Sequence, residues 1–249
     1  MTSDSQPKVS WDAATYDKRA DYAGEAISQL LELAKPNPSR PLADIGAGTA
    51  KLTKLLLAAG FEVHAVEPNA AMRTHGIENT AGGRVTWSVG TGEATGLADS
   101  TYDLVSFGSS FNVTDRAATL REVVRILRPN GWFACMWNHR DLDDPIQAEV
   151  EGLIRAAIPG YSYGSRREDQ TEIIRSSGLF KEPTRVTGRI DNEIETKDYV
   201  EAWRSHATLQ RQAGDNFLPL VEQISSALAG RETIVVPYTT QMWVAQAKS

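Results

Sequence analysis

The chain has 249 residues, a net charge of −6 and a pI near 5.3, which suit one large α/β domain with an insertion or a small cap. The acidic balance argues against an extended nucleic-acid-binding surface, and the single cysteine, Cys135, excludes disulfides within the chain. The first residues lack a basic-then-apolar signal, and no run approaches the roughly 18 apolar residues of a membrane span. We therefore expect a cytoplasmic protein whose partner is a small molecule, not a nucleic acid or a membrane.

The N-terminal arm precedes a predicted amphipathic helix over residues 23–34. Tyr16, Arg19 and Tyr22 recur at every third residue, so a helical arm would present two phenols and a guanidinium on one face. Spacing alone leaves two interpretations open, a solvated helix with half-buried tyrosines or a lid over a binding site.

A glycine turn follows the first predicted strand, residues 41–45, and leads into a helix. Gly46 and Gly48 permit a tight turn and bring bare backbone close to a ligand. A dinucleotide fingerprint would have a third glycine where this chain has Lys51, and the Gly-Lys-Ser/Thr of a P-loop is absent. The stretch predicts a nucleotide-binding turn and disfavours an NAD(P)-dependent oxidoreductase, for which a Tyr-x-x-x-Lys pair is also missing.

Two carboxylates stand at predicted strand ends beside this turn. Asp44 directly precedes it, where a carboxylate would repel a phosphate but suit a cationic amine. Glu67 stands 19 residues after Gly48, at the end of the next apolar run, and can accept both hydrogen bonds of a ribose diol. One acid for an amine and another for a ribose fit S-adenosylmethionine better than NAD.

These motifs in series resemble a known family. Residues 44–49, Asp-Ile-Gly-Ala-Gly-Thr, and residues 66–69, Val-Glu-Pro-Asn, resemble class I S-adenosylmethionine-dependent methyltransferases, more closely the type 11 small-molecule branch that includes trans-aconitate methyltransferase-like proteins. The resemblance implies a Rossmann-like doubly wound α/β fold, S-adenosylmethionine as cofactor, S-adenosylhomocysteine as product, and an N-terminal arm that folds over the cofactor. The cofactor-binding residues it implies are Tyr16, Arg19, Tyr22, Asp44, Gly46, Gly48, Thr49, Glu67, Pro68, Met72, Gly92, Glu93, Ser109 and Phe111.

Three of these positions lie on the side where the family binds adenine. Asn69 suits a helix N-cap, which would turn Met72 back over the turn at Glu67, either as an adenine wall or as a core side chain. Gly92 and Glu93 match the family's adenine-contact turn, although many relatives carry a residue other than glycine at position 92.

Candidate acceptor-side residues follow the fourth and fifth predicted strands, residues 104–107 and 132–137. Asn112 stands where many small-molecule relatives have a histidine, which removes the obvious general base. His139 becomes the nearest candidate base, and Arg140 would suit an acceptor carboxylate. We predict catalytic roles for His139 and Asn112, and acceptor contacts for Trp137, Asn138, Arg140, Tyr163 and Trp203.

No metal site is predicted. Acids and amides follow both strands, but their spacing does not match that of catechol-type methyltransferases, and acids after a strand are more often helix caps. The histidines form no zinc-type spacing.

The C-terminal part completes the predicted architecture. Helices are predicted within residues 145–178 and 197–229, and strands at 184–194 and 232–245 would complete a seven-stranded sheet whose last strand is antiparallel. We predict N-terminal lid helices over residues 1–40, a cofactor-binding core over 41–141, and a helical substrate cap with the final strands over 142–249. Further residues that would shape a pocket or bind an acidic substrate are Tyr161, Arg166, Arg167, Arg204 and His206.

The predicted function is methyl transfer from S-adenosylmethionine to a small molecule, with O-methylation of a carboxylate or hydroxyl of a metabolite or natural-product intermediate as the leading hypothesis. An in-line displacement mainly requires alignment, and a base only where the nucleophile is protonated. N- or C-methylation and a non-catalytic S-adenosylmethionine-binding role stay as alternatives, and an NAD(P)-dependent oxidoreductase is the least favoured.

Overall fold

A computed structural model describes residues 19–204 and 206–248, apart from the side chains of Arg166 and Ala207. The strands are β1 (Leu42–Ile45), β2 (Val63–Val66), β3 (Val85–Ser88), β4 (Tyr102–Gly108), β5 (Leu127–Arg140), β6 (Thr184–Glu195) and β7 (Thr233–Gln246). The helices are α1 (Gly24–Ala34), α2 (Lys51–Ala58), α3 (Ala70–Asn79), α4 (Arg116–Ile126), α5 (Pro145–Ala157), α6 (Thr171–Ser176), α7 (Thr196–Arg204), α8 (Ala207–Ala213) and α9 (Phe217–Ala227). Short 3-10 helices lie at Phe111–Val113, Gly164–Arg167 and Gly214–Asn216.

The strands of the described residues form one sheet in the order β3-β2-β1-β4-β5-β7-β6. Strands β1 to β5 pair in parallel, and β7 runs antiparallel between β5 and β6. The predicted doubly wound seven-stranded sheet with an antiparallel last strand is therefore confirmed. The strand order reverses between β1 and β4, and ligands of open α/β sheets bind at such a switch point, outside the carboxyl ends of the strands.

Apolar side chains cover both faces of the sheet, which explains why helices pack on each side of it. Strand β1 is buried along its whole length, as expected for a parallel strand covered on both sides. On one face, Ala26 and Leu30 of α1 pack against the sheet. On the other, Phe107 and Phe133 meet edge to face with their ring centroids 5.8 Å apart.

A further apolar cluster joins α5, α7 and α9 around Val150, Trp203, Leu220 and Ile224. It builds a cap beside the long antiparallel strands β6 and β7, whose predicted positions are confirmed to within about one residue. None of the described helices is long and apolar enough to cross a bilayer.

The predicted bounds of β5 are wrong. The strand begins at Leu127 and continues to Arg140, because its C-terminal part pairs with β7 as far as the Arg140–Tyr238 partners. Asn138 and Arg140 therefore belong to the strand itself and, two residues apart, project from the same face.

The predicted helical arm is also wrong where the structure describes it. Residues 19–23 are not helical, and α1 begins only after them. The Asn138 Nδ2 donates to the Asp21 carbonyl at 2.7 Å, and the Ala23 N–H donates to Thr240 Oγ1 at 2.8 Å. These side chains of β5 and β7 hold the arm against the sheet.

Candidate active site

The glycine turn after β1 is fixed from two sides. Gly46 and Gly48 have φ of +65° and +58°, in the left-handed region that favours glycine. The Gly46 N–H donates to the Val66 carbonyl at 2.8 Å, and Ser110 Oγ donates to the Ile45 carbonyl at 2.6 Å. A Cβ on Gly46 would lie 2.5 Å from the Ser110 Cβ, so only glycine lets the turn pack against the loop after β4.

Asp44 is fully buried beside this turn. Its Oδ2 accepts from Thr53 Oγ1 at 2.6 Å, whereas its Oδ1 has no hydrogen-bond partner among the described residues. Burial raises the pKa of Asp44 to about 7, although the hydrogen bond from Thr53 acts in the opposite direction. The carboxyl lines a small cavity with Gly46, Gly108 and Lys51. A buried carboxylate oxygen without a partner is costly, and it fits the ammonium group of S-adenosylmethionine.

Glu67 follows β2 and turns its carboxylate toward the glycine turn. Its Oε2 accepts from the Gly48 N–H at 2.9 Å and its Oε1 from the Asn69 N–H at 2.8 Å. Burial raises the pKa of Glu67, and these two backbone hydrogen bonds act against that rise. Asn69 accepts from the Met72 N–H at 3.1 Å, so the predicted N-cap is confirmed. Each Glu67 oxygen retains acceptor capacity for a ribose hydroxyl beside Pro68.

The N-terminal arm meets the sheet next to the turn. Tyr22 Oη and Ser109 Oγ are 2.9 Å apart, and Lys51 Nζ lies 3.0 Å from Asp21 Oδ1. Tyr16 lies outside the described residues. Sequence reasoning missed Lys51 as a site residue, although a lysine in the first turn of a helix opposes the helix dipole and is for that reason an unusual choice.

A larger cavity, of about 170 Å³, opens at the carboxyl ends of β4 and β5 and adjoins the Asp44 cavity through Tyr22 and Lys51, which line both. The predicted site residues that line it are Arg19, Tyr22, Ser109, Asn138, His139, Arg140, Tyr163 and Trp203, together with Arg167 and His206. Lining residues not predicted from the sequence are Ala20, Lys51, Asn192, Ile194, Tyr199, Ala202 and Tyr238. Among the described residues, no Asp or Glu lines this cavity, and no group of three or more His, Cys, Asp or Glu is arranged to hold a metal ion.

Arg140 is almost buried at the cap end of this cavity. Its Nη1 donates to Gln147 Oε1 at 3.0 Å, and its Nη2 donates to Tyr163 Oη at 2.9 Å and lies 3.4 Å from Glu151 Oε2. The Tyr163 hydroxyl also donates to Glu151, and the guanidinium lies 4.6 Å from the centroid of the Trp203 ring. Arg140 is thus paired with Glu151, whose other carboxylate oxygen lies 2.8 Å from Arg155 Nε.

Two of the predicted acceptor-side residues lie away from the cavity. Trp137 is 1% exposed and packs edge-on against Trp243 at 5.9 Å between ring centroids. Its indole N–H donates to Asn112 Oδ1 at 3.0 Å, so the amide that replaces the family's histidine holds a core tryptophan. His139, in contrast, lines the cavity, and the catalytic assignments of Asn112 and His139 stay predictions.

The three predicted adenine-side residues, and two other predicted cofactor-binding residues, Thr49 and Phe111, are placed in other contacts. Thr49, Phe111 and Met72 are buried. Glu93 Oε1 accepts from a backbone N–H at 2.7 Å, and a Cβ on Gly92 would lie 2.8 Å from a neighbouring methyl group. None of these five lines either cavity of the described structure, and their cofactor roles stay predictions.

The sheet order, the glycine turn and the two buried carboxylates agree with the resemblance to class I S-adenosylmethionine-dependent methyltransferases. Residues 43–135 match the family described as a methyltransferase domain, which confirms the resemblance carried by the sequence motifs. The matched region begins in β1 and ends in β5.

Curated relatives match about half of the chain. An uncharacterised methyltransferase of Mycobacterium tuberculosis is 37% identical over 123 residues, which are 49% of this chain and 48% of that protein. The ubiquinone/menaquinone biosynthesis C-methyltransferase UbiE of Rubrivivax gelatinosus is 34% identical over 131 residues, 50% of this chain and 51% of that protein. The chain therefore spans about half the length of these relatives. A solved structure described as a type II methyltransferase from Anaeromyxobacter dehalogenans shares the fold over 92% of this chain and 97% of that one, with a TM-score of 0.62 at 20% identity.

Proposed function

We propose that this protein is a cytoplasmic S-adenosylmethionine-dependent methyltransferase that O-methylates a carboxylate or hydroxyl of a small molecule. The observation that carries the proposal is the buried Asp44 oxygen without a partner, in a cavity that adjoins a larger, aromatic one. Bound S-adenosylmethionine would supply a methyl group on a sulfonium and depart as S-adenosylhomocysteine.

The residues of β1, β2 and the arm would hold the cofactor. Asp44 would accept a hydrogen bond from its ammonium group, and Glu67 would accept from the ribose hydroxyls. Lys51, which lines both cavities, and Arg19 would lie near the methionine carboxylate. Tyr22, fixed on Ser109, would close the arm over the ligand and exclude water.

The acceptor side would act mainly by alignment. Tyr199, Trp203 and Tyr238 give the larger cavity flat walls that restrict how an acceptor lies. His139 lines the same cavity and would take the proton from a hydroxyl nucleophile, whereas a carboxylate would need no base.

C-methylation is the second candidate, because a relative that is 34% identical over half of this chain is a C-methyltransferase. The two reactions differ in the bond formed, so the structure of the isolated product separates them.

Titration calorimetry with S-adenosylmethionine and S-adenosylhomocysteine tests the proposal, followed by transfer of a labelled methyl group into a cell extract. Glu67→Ala should weaken both ligands by roughly 10-fold or more, since hydrogen bonds to a charged acceptor are lost. Glu172→Ala, at an exposed ion pair of α6, should change nothing. Absence of binding by the unmodified protein would overturn the proposal, and binding without transfer to any acceptor would favour a non-catalytic role.

A further inference from the structure

The cap end of the larger cavity holds a cation that the proposed catalysis does not use. Arg167 lines this cavity, and its guanidinium carbon lies 4.0 Å from the centroid of the Tyr163 ring. Lys51 and Arg140 are paired with Asp21 and Glu151. Arg167, in contrast, has no carboxylate within 4.0 Å among the residues that the structure describes.

This placement is electrostatically unfavourable for Arg167. Burial is the largest effect, and it lowers the pKa of Arg167; the positive charge of Arg140 acts in the same direction, whereas Tyr163 and the more distant Glu151 act against it. A partly buried cation beside a second cation gains most from an anionic partner. Since the described lining offers no carboxylate, that partner would have to come with the ligand.

The cation does not lie at the cofactor end of the cavity, which Tyr22, Lys51 and Ser109 define. Arg140 is two residues beyond Asn138 on β5, so their Cα atoms are separated by roughly 7 Å along the strand. Arg167 joins the Arg140 cluster through the ring of Tyr163. A group bound by Arg167 would therefore lie at the cap end of the cavity, beside Tyr163 and Arg140.

We propose that Arg167, stacked on Tyr163, binds an anionic group of an aromatic or otherwise planar carboxylate, and that a different atom of the same molecule accepts the methyl group. The inference rests on the proposed function and narrows it. Methylation of a hydroxyl replaces its O–H bond by an O–CH3 bond and releases one proton, so the product keeps the carboxylate charge. Esterification of the carboxylate would remove that charge.

The test compares 3-hydroxybenzoate with its neutral analogue 3-hydroxybenzamide, in binding titrations with saturating S-adenosylhomocysteine. The acid should bind at least roughly 10-fold more tightly than the amide to the unmodified protein, as expected for charge-assisted hydrogen bonds. Arg167→Met should abolish this preference, and Arg167→Lys should retain part of it. Arg204→Met is the matched control, because the predicted pocket role of Arg204 is wrong: Arg204 pairs with Glu222 on an exposed face and does not line the cavity.

The outcomes separate the two proposals. Failure of S-adenosylhomocysteine to bind the unmodified protein would overturn the proposed function and this inference together. If S-adenosylhomocysteine binds normally but the acid and the amide bind with equal affinity, the anion subsite alone is overturned. The same holds if Arg167→Met retains the preference for the acid that Arg204→Met shows. The labelled product from a cell extract should be retained on an anion exchanger, because it keeps its carboxylate. A neutral, alkali-labile methyl ester as the product would overturn the anion subsite.

Discussion

Asp44→Asn should stabilise the protein at alkaline pH and at the same time abolish binding of S-adenosylmethionine. Burial raises the pKa of Asp44 to about 7, so above that pH the folded protein holds a buried charge with one oxygen unpartnered among the described residues. Asparagine has the same shape, carries no charge and can still accept the hydrogen bond from Thr53. The substitution therefore removes a cost that the binding site imposes on the free protein.

The magnitude follows from the two pKa values. In the unfolded chain an aspartate has a pKa of about 3.9, so between about pH 4 and pH 7 the folded protein binds more protons than the unfolded chain. Stability from this group then falls as pH rises and levels off above about pH 7. Since each factor of ten in proton affinity corresponds to a little over 1 kcal/mol, the loss is about 1–2 kcal/mol at pH 5 and about 4 kcal/mol at pH 8.

Urea unfolding at pH 5 and pH 8 checks this directly. The stability of Asp44→Asn relative to the unmodified protein should increase by about 3 kcal/mol between the two pH values. Asp215→Asn, at an exposed position, should show no such increase. If the difference in unfolding free energy between Asp44→Asn and the unmodified protein is the same at both pH values, ionisation of the buried Asp44 does not destabilise the free protein, and the reasoning is refuted.

Two further substitutions test the arm and the packing under the turn. Asn138→Ala removes the hydrogen bond to the arm backbone, so calorimetry should show weaker S-adenosylhomocysteine binding with nearly unchanged thermal unfolding; undiminished affinity would mean that this bond does not hold the arm closed. Gly76→Ala should destabilise the protein by about 1–3 kcal/mol in urea, because the added Cβ would lie 2.2 Å from the Trp87 ring and 2.7 Å from the Gly48 carbonyl oxygen. Gly152→Ala, where nothing lies within 4 Å, should instead stabilise by up to about 1 kcal/mol, and equal effects of the two glycine substitutions would contradict the steric argument.

The parts that were predictable from the sequence depend on short-range contacts and apolar patterning. Asn69 caps α3 by accepting from the N–H of Met72, three residues further along the chain. Glu67 follows β2, which pairs with β1, and so its carboxylate reaches the glycine turn after β1. Strand β7 is rich in β-branched and aromatic residues and β6 contains several β-branched ones, so both strands could be predicted without knowledge of their partners.

The errors arose where distant segments determine a local conformation. Strand β5 extends through Arg140 because β7, far along the chain, pairs with it. Residues 19–23 of the arm are not helical, because Asn138 and Thr240 bind the backbone there. Spacing within residues 16–22 carries no information about either partner, so the helical pattern was a sound local inference that tertiary contacts overrode.

The sequence also does not show which cations are paired in the fold, and the pairing changes which arginine we expect to bind the acceptor. In the sequence, Arg140 and Arg167 are equivalent cations near an acceptor site, and Arg140 was the more attractive because it follows a strand at the catalytic edge. The fold brings Glu151 from α5 to Arg140 and leaves Arg167 on the ring of Tyr163, with no carboxylate within 4.0 Å among the described residues. A directly paired cation shapes a cavity, whereas a cation without a direct carboxylate partner favours an anionic ligand. The substrate preference should therefore follow Arg167 and not Arg140.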